Sequence, residues 1–404
     1  MKKFSSRSAL SSKNFRIYFS GNILSVLGIW VQRLSLGWHA WELSESALVV
    51  GFVAAAQYIP LLLLTPFFGV FADQFKPRSS AIIMHVILML VAFILSFLTF
   101  VDVMDVTYLI ALSLLYGIAN SAYSPVRLAL IPILVSSNQL SSAVAITSAG
   151  FNLSRFLGPG IAGFIVAFYG LGFAYLVNAV TFIPVIISLA LIKVVKAKKK
   201  RDLNESYFQK LHEGFRYTLN HDLIRNVILI AGISSFFGRG LIELLPVFAA
   251  VVFEGGSDTL ALLMAASGFG AVVASFIYMS GILDHKLGKA VLYGGYGMTF
   301  SCLFLAMTES LFFGVIVVSF VGFFITFVAV GSQSEVQMKV ADELRGRVSS
   351  LWTIVVLGGP ALGSLFAGIL VGKLGVRLTA ILFSLICLSL LLYIQFSRAK
   401  KTKY

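Results

Sequence analysis

Residues 47–78 read ALVVGFVAAAQYIPLLLLTPFFGVFADQFKPR, and the fold turns on this stretch. From 47 to 71 the run is apolar apart from Gln57, Tyr58 and Thr65, and it carries Pro60 and Pro66 inside it. A bilayer crossing takes ~20 apolar residues. The run is too long for a core helix of a soluble domain, and prolines within it are tolerated in a bilayer helix. It ends on Asp73, three further residues, then Pro77 and Arg78. That is a charged turn with a base at its far side, where a chain leaves the membrane.

Outward from this stretch the same pattern recurs. Apolar runs lie at 17–41, 47–71, 79–101, 107–126, 140–168, 172–194, 226–252, 259–282, 290–308, 311–333, 348–371 and 377–397. A barrel would need alternating segments of ~10 residues, and the sequence has none. Of 404 residues, 58% are hydrophobic and 12% charged, against a usual charged share of ~25%. A soluble globular enzyme is thereby excluded. The 36 phenylalanines exclude disorder, and two cysteines exclude a disulfide scaffold or a Cys-rich metal site. The reading is an all-α membrane protein with twelve transmembrane helices.

Orientation follows from Lys and Arg. With the N-terminus in the cytoplasm, 26 of the 31 basic residues fall on inner segments. Only Lys373 and Arg377 fall on outer loops, and Arg33, Arg155 and Arg239 lie in the spans. This is a strong positive-inside bias, so both termini are placed in the cytoplasm. The net charge of +14 reads as topology signal and attraction to anionic lipid, with no nucleic acid as partner.

The longest inner loop divides the chain into 1–194, a linker at 195–225 and 226–404. Within the linker Tyr207, Phe208, Leu211, Phe215 and Leu219 share one helical face, which predicts an interfacial helix. The halves echo each other. Asp73 to Arg78 matches Asp284 to Lys289, Gly158-Pro159 matches Gly359-Pro360, and Ser141-Ser142 matches Ser349-Ser350. The offsets, 211, 201 and 208, are nearly constant and indicate an internal duplication. Parallel six-helix repeats are a transporter architecture with its binding site near mid-depth.

Gly69-Val-Phe-Ala-Asp73-Gln-Phe-Lys-Pro-Arg78 resembles the loop 2–3 signature of the major facilitator superfamily, with Gln74 in place of the usual Arg. Trp30-Val-Gln32-Arg33, Gly37-Trp38, Ser124-Pro125-Val-Arg127, Asn152-Leu-Ser-Arg155-Phe-Leu-Gly158-Pro159, Leu245-Pro246 and Arg345-Gly346-Arg347 are similar to the branch containing the enterobactin exporter and macrolide efflux proteins. The resemblance implies a twelve-helix fold of two pseudo-symmetric bundles. It also implies a proton-driven exporter of the bacterial inner membrane.

Ionisable groups inside lipid are costly and mark function. Four lie well inside the predicted spans: Arg33, Arg155, Arg239 and Glu243. Arg33 and Arg239 differ by 206, so they hold equivalent places in the two repeats. Three arginines against one carboxylate favour an anionic substrate, because guanidinium clamps carboxylates bidentately. Trp30 and Tyr58 are candidate stacking residues, and Gln57 and Asn152 are polar groups inside the spans. Together with the arginines they form the predicted substrate-binding set. Glu243 stands four residues after Arg239, which reads equally as a neutralising i,i+4 pair and as the carboxylate that exchanges a proton. His39, near the outer end of the first span, is a second candidate proton carrier. Gly69, Asp73, Arg78, Asp284 and Lys289 are assigned to gating, the two carboxylates as caps on neighbouring helix starts. Gly158-Pro159-Gly160 and Gly359-Pro360 read equally as hinge and as close packing.

No Gly-x4-Gly-Lys-Ser/Thr occurs, so energy comes from an ion gradient or from the substrate's own gradient. No metal cluster or cofactor motif is present, and no paired nucleophile and base sit at matching depth, so an enzyme is not predicted. The function read from the chain is proton-coupled efflux, by a monomer working through alternating access, of a small anionic or aromatic, siderophore-like molecule. Multidrug or macrolide efflux is the alternative, and a non-transporting receptor is a third reading.

Overall fold

The computed structural model describes residues 8–72, 76–192, 207–280 and 287–401, and these residues contain helices and no strand. In the first half, α1 is Lys13–Ser44, α2 Ala47–Ala72, α3 Pro77–Phe100, α4 Val106–Leu134 and α5 Leu140–Leu191. After them come α6, Tyr207–Asn220, and α7, which runs through Asp222–Val252. The last five are α8 Ser257–Met279, α9 Leu287–Met307, α10 Leu311–Lys339, α11 Asp342–Leu374 and α12 Val376–Lys401.

Ten helical stretches among the described residues are long and apolar enough to cross a bilayer. One of them, Ser137–Leu191, is 55 residues long and holds two spans. It breaks at Gly170, whose φ of 82° and ψ of 173° are open to glycine alone. The remaining span is α1, whose 32 residues include Asn22, Gln32 and Arg33 and are therefore less apolar than the rest. Twelve spans result. Large side chains such as Phe93, Phe97, Leu128 and Phe168 cover the outside, and Phe168 is 73% exposed. Such a surface suits acyl chains and not water.

Local chemistry sets the ends. Asp105 caps α4 by accepting from the Tyr108 N–H at 2.8 Å, and Pro77 opens α3, where a missing N–H costs nothing. The turns after the first span of each half match: Glu45 has φ 47° and Glu254 φ 49°. So do Gly170 and Gly375, at φ 82° and 79°. These backbone echoes carry the duplication read from sequence into conformation.

Three helices outrun their apolar stretches. α4 continues through Pro125 and Pro132 to Leu134, α10 reaches Lys339 instead of 333, and α11 starts at Asp342 instead of 348. For α10 and α11 the reason is packing. Ile224, Ile228, Val336, Val340 and Val348 form a buried cluster where the start of α7, the end of α10 and the start of α11 meet. This apolar core holds helical turns that are too polar to be read as membrane spans.

The chain divides into two compact units. One comprises Met1–Leu43 and Ile59–Asp202, the other Ser44–Tyr58 and Leu203–Tyr404. In the first unit α3 packs on α4 and α5. Tyr18 donates to Asn22 at 3.1 Å, and the His85 ring stands edge-on to Tyr123 at 4.5 Å. In the second unit α8 and α9 pack on α10. The opening turns of α2 also belong here: Ser364 of α11 donates to the Gly51 carbonyl at 3.4 Å, and Gly368 lies against the backbone of Ala47. The linker helix α6 docks on the start of α11. Gly214 lets the two backbones touch beside Arg347, and Glu213 forms an ion pair with Arg347. Phe215 and Leu219 point away, about half exposed, while the side chains of Tyr207, Phe208 and Leu211 lie outside the described residues.

Candidate functional site

In the first unit the polar residues gather where α1 crosses α5. Gly158 has no side chain, so the α5 backbone rests on the Cβ of Trp30 and fixes its indole. Phe151, two turns earlier on α5, meets the indole edge-on at 5.7 Å. The Arg33 guanidinium lies 5.3 Å from the centre of the same ring, and that of Arg155 lies 5.9 Å from it. One indole thus holds two cations from two helices. Each contact contributes ~0.5–2 kcal/mol, depending on how dry it is. Trp30 is only 7% exposed, and its indole N–H has no acceptor. Asn152 stands half-buried, three residues before Arg155.

Other groups in this unit hold structural contacts. Asn178 donates to Gln32 at 2.6 Å in the buried interior, a polar pair between the first and sixth spans that sequence reasoning missed. His39 is 5% exposed and hydrogen-bonded through Nδ1 to the Tyr175 hydroxyl at 3.1 Å. Arg78 donates to the Leu189 carbonyl at 2.7 Å and to that of Ala190 at 2.5 Å. It therefore caps the last carbonyls of α5, where a cation complements the helix dipole. Gly69 lies on α2, Lys289 is exposed at the start of α9, and Asp73 and Asp284 fall outside the described residues.

In the second unit α7 is irregular around its two charges. An α-helical start, Asp222–Ile233, passes into a π segment, Ser234–Arg239. One short turn follows, Gly240–Ile242; the helix then breaks at Glu243 and Leu244. It resumes at Leu245–Val247 and passes into a second π segment, Phe248–Val252. Pro246 contributes to the break, because it has no N–H for the carbonyl one turn earlier. Single-turn π segments cluster at functional sites, and broken spans build transporter sites.

At this break stands a three-residue chain. The Tyr58 hydroxyl donates to Glu243 Oε1 at 3.1 Å and accepts from Arg239 Nη2 at 3.4 Å. The Arg239 guanidinium also lies 5.9 Å from the Tyr58 ring centre. Tyr58 is buried, and its oxygen joins the two charges. The sequence reading paired Arg239 and Glu243 through the helix spacing and gave Tyr58 a stacking role; the bridge between all three was not legible. Gln57, beside it, donates to the Val53 carbonyl of its own helix at 3.1 Å.

A small cavity with room for about one water lies beside the first π segment, lined by Ser234, Ser235 and Arg239. Glu335 on α10 is a further buried charge, 5% exposed, which the sequence reading passed over because it lies beyond the apolar run. Its carboxylate approaches Gly288 at the start of α9, where a negative charge is favourable.

A family model described as transmembrane secretion effector matches residues 4–403. The Staphyloferrin A transporter of Staphylococcus aureus (strain NCTC 8325 / PS 47) is 27% identical over 384 residues, covering 94% of this chain and 95% of its own. The enterobactin exporter EntS of Salmonella typhi is 26% identical over 283 residues, 68% of this chain and 66% of its own. Among solved structures, a bacterial homologue of the human lysosomal transporter Spinster, inward-facing and unoccupied, superposes with a TM-score of 0.73 at 15% identity. That superposition covers 96% of this chain and 98% of the homologue, and it shows the shared fold. Twelve spans, with a family match along nearly the whole length, make this chain a member of the transmembrane secretion effector family of the major facilitator superfamily, a multi-pass membrane transporter of small molecules.

Proposed function

We propose that the protein exports a small anionic, siderophore-like molecule by proton-coupled alternating access. The observation that carries this reading is the chain Arg239–Tyr58–Glu243. Ionised Glu243 accepts from the Tyr58 hydroxyl, which orients that oxygen to accept from Arg239. A proton on Glu243 removes the charge that holds the hydroxyl. Hydrogen bonds to charged groups contribute ~1.5–3 kcal/mol, enough to free Arg239 for a substrate anion. Deprotonation re-forms the chain and displaces the anion. One carboxylate therefore links protonation to anion binding without any covalent step.

Each unit carries arginine against an aromatic ring, Arg33 and Arg155 at Trp30 in the first and Arg239 at Tyr58 in the second. Asn152 and Gln57 complete the substrate set. Two relatives bear the names of siderophores, staphyloferrin A and enterobactin, which supports this substrate class. His39 serves as a further proton relay, while Gly69, Asp73, Arg78, Asp284 and Lys289 latch the inner helix ends. The protein acts as a monomer in the bacterial inner membrane, with both termini in the cytoplasm.

The test is Glu243→Gln in proteoliposomes under an imposed pH gradient, with substrate exchange measured in parallel. Gradient-driven flux should fall at least tenfold while exchange without a gradient persists. Undiminished gradient-driven flux would refute the coupling role. A preference for lipophilic cations over anions in the same assay would refute the substrate class.

A further inference from the structure

We propose that the cavity beside the first π segment of α7 binds one water molecule, held by Ser234, Ser235 and Arg239, and that this water fixes the Arg239 guanidinium beside Tyr58. The starting observation is Ser234. It is 3% exposed, it lines the cavity, and its hydroxyl has no hydrogen-bond partner in the protein. Other serines in these helices return their proton to a carbonyl one turn earlier, as Ser35 does to Val31 at 3.0 Å. A buried hydroxyl left unmet is costly, and native structures leave few of them without a reason. Ser235, next to it, donates to the Val356 carbonyl at 2.6 Å, so its proton is spent and its oxygen can still accept. Arg239 gives one N–H to the Tyr58 hydroxyl at 3.4 Å, out of the five that a guanidinium carries.

The π segment makes the site. In an α-helix Ser234 and Arg239 would stand about 1.4 turns apart, on different faces. Hydrogen bonds that close over five residues bring them about one turn apart, and both line the same cavity. Size and chemistry then select the occupant. The room is that of about one water. Arg239 repels a cation. The polar groups suit a ligand that both accepts and donates. Water accepts an N–H from Arg239 and the proton of Ser234, and it donates one of its own to Ser235. Such a water makes about three hydrogen bonds, the usual number for a buried one. Ile325, Val328 and Ala329 of α10 line the other side with apolar atoms. With Tyr58 on one side and the water on the other, the guanidinium is held from both. The site needs no proton coupling, so it fails or survives apart from the Glu243 reading.

The experiment uses the full chain in neutral detergent. A brief X-ray pulse turns water into hydroxyl radicals, and mass spectrometry reads the oxidised side chains. Val328 lines the cavity, Val321 on the same helix is buried and does not, and Val103 is exposed. Val328 should oxidise about fivefold faster than Val321, because a water sits against it. After rapid mixing with 18O water, its product should take up the label later than that of Val103, since a bound water exchanges slowly. Ser234→Val removes the hydroxyl and fills the space, and Arg239→Leu removes the donors. Each should cut Val328 oxidation about threefold. In Ser234→Val, Arg239 should also react about threefold faster with butanedione, relative to the exposed Arg216, where filling alone would slow it. Val328 no faster than Val321, label uptake as quick as at Val103, or unchanged oxidation in either variant would each overturn the site. An unchanged or slower Arg239 reaction would overturn its role in fixing the guanidinium. Oxidation of Val328 that appears only when gluconate replaces chloride would assign the cavity to a halide and overturn the water. Should Ser234→Val fail to fold, Ser234→Ala removes the hydroxyl without adding atoms and is read in the same way.

Discussion

The Tyr58 hydroxyl accepts from Arg239 and donates to Glu243, so deleting that one oxygen breaks both contacts. Tyr58→Phe keeps the ring beneath the guanidinium and the packing of a buried side chain. Its cost should therefore fall on coupling more than on folding. Gradient-driven flux should drop about tenfold, the equivalent of ~1.4 kcal/mol, while the melting midpoint in detergent moves by less than about 5 °C. A large loss of stability with normal flux per folded molecule would show the hydroxyl to be structural. At this scale the sequence revealed charges and hid their partners. Arg33, Arg155, Arg239 and Glu243 stand out in apolar surroundings because a charge in a span is rare. The Trp30 indole shared by two arginines, the Tyr58 bridge and the Gln32–Asn178 pair depend on which helix faces meet, and no spacing along one helix encodes that. Glu335 stayed hidden for another reason: it lies past the end of an apolar run, on turns kept helical by the cluster around Val336.

α7 and α11 touch backbone to backbone. A side chain on Gly363 would collide with the Phe236 carbonyl, one on Gly359 with Ser235, and Ser235 donates to the Val356 carbonyl at 2.6 Å. Small residues let membrane helices approach in this way, and the contact is where the π segment of α7 lies. Gly363→Ala should force the helices apart and destabilise the protein by roughly 1–3 kcal/mol. Gly160→Ala is the control, since open space surrounds the added methyl and alanine favours a helix by about 1 kcal/mol. Thermal unfolding in detergent should rank Gly363→Ala below wild type and Gly160→Ala at or above it. Equal midpoints for both variants would mean the close approach contributes nothing. Gly359-Pro360 was legible as a hinge or a close-packing point, and Pro246 only as part of a family resemblance. The two π segments were not, because a π turn has no composition of its own and arises from how α7 meets its neighbours. Gly170 and Gly375 were likewise invisible as a matched pair until their φ angles were known.

For the whole molecule the strongest sequence signal was charge asymmetry, and it makes a claim about sidedness that can be measured directly. Cys302 and Cys387 are both buried, so the native chain should resist a membrane-impermeant maleimide. Val103 and Asn138 are exposed on either side of α4, and Lys289 and Glu309 on either side of α9. Each helix crosses the bilayer once, so the two members of each pair lie on opposite faces. If basic residues mark the inside, Val103→Cys and Glu309→Cys should label in intact cells. Asn138→Cys and Lys289→Cys should label only after permeabilisation. Two helices from different halves give the assay an internal check, since a parallel repeat requires both pairs to read the same way. The reverse pattern at both pairs would invert the protein in the membrane. The proton gradient would then act on Glu243 from the opposite side, and proton-coupled export would have to be abandoned even with every contact around Tyr58 intact.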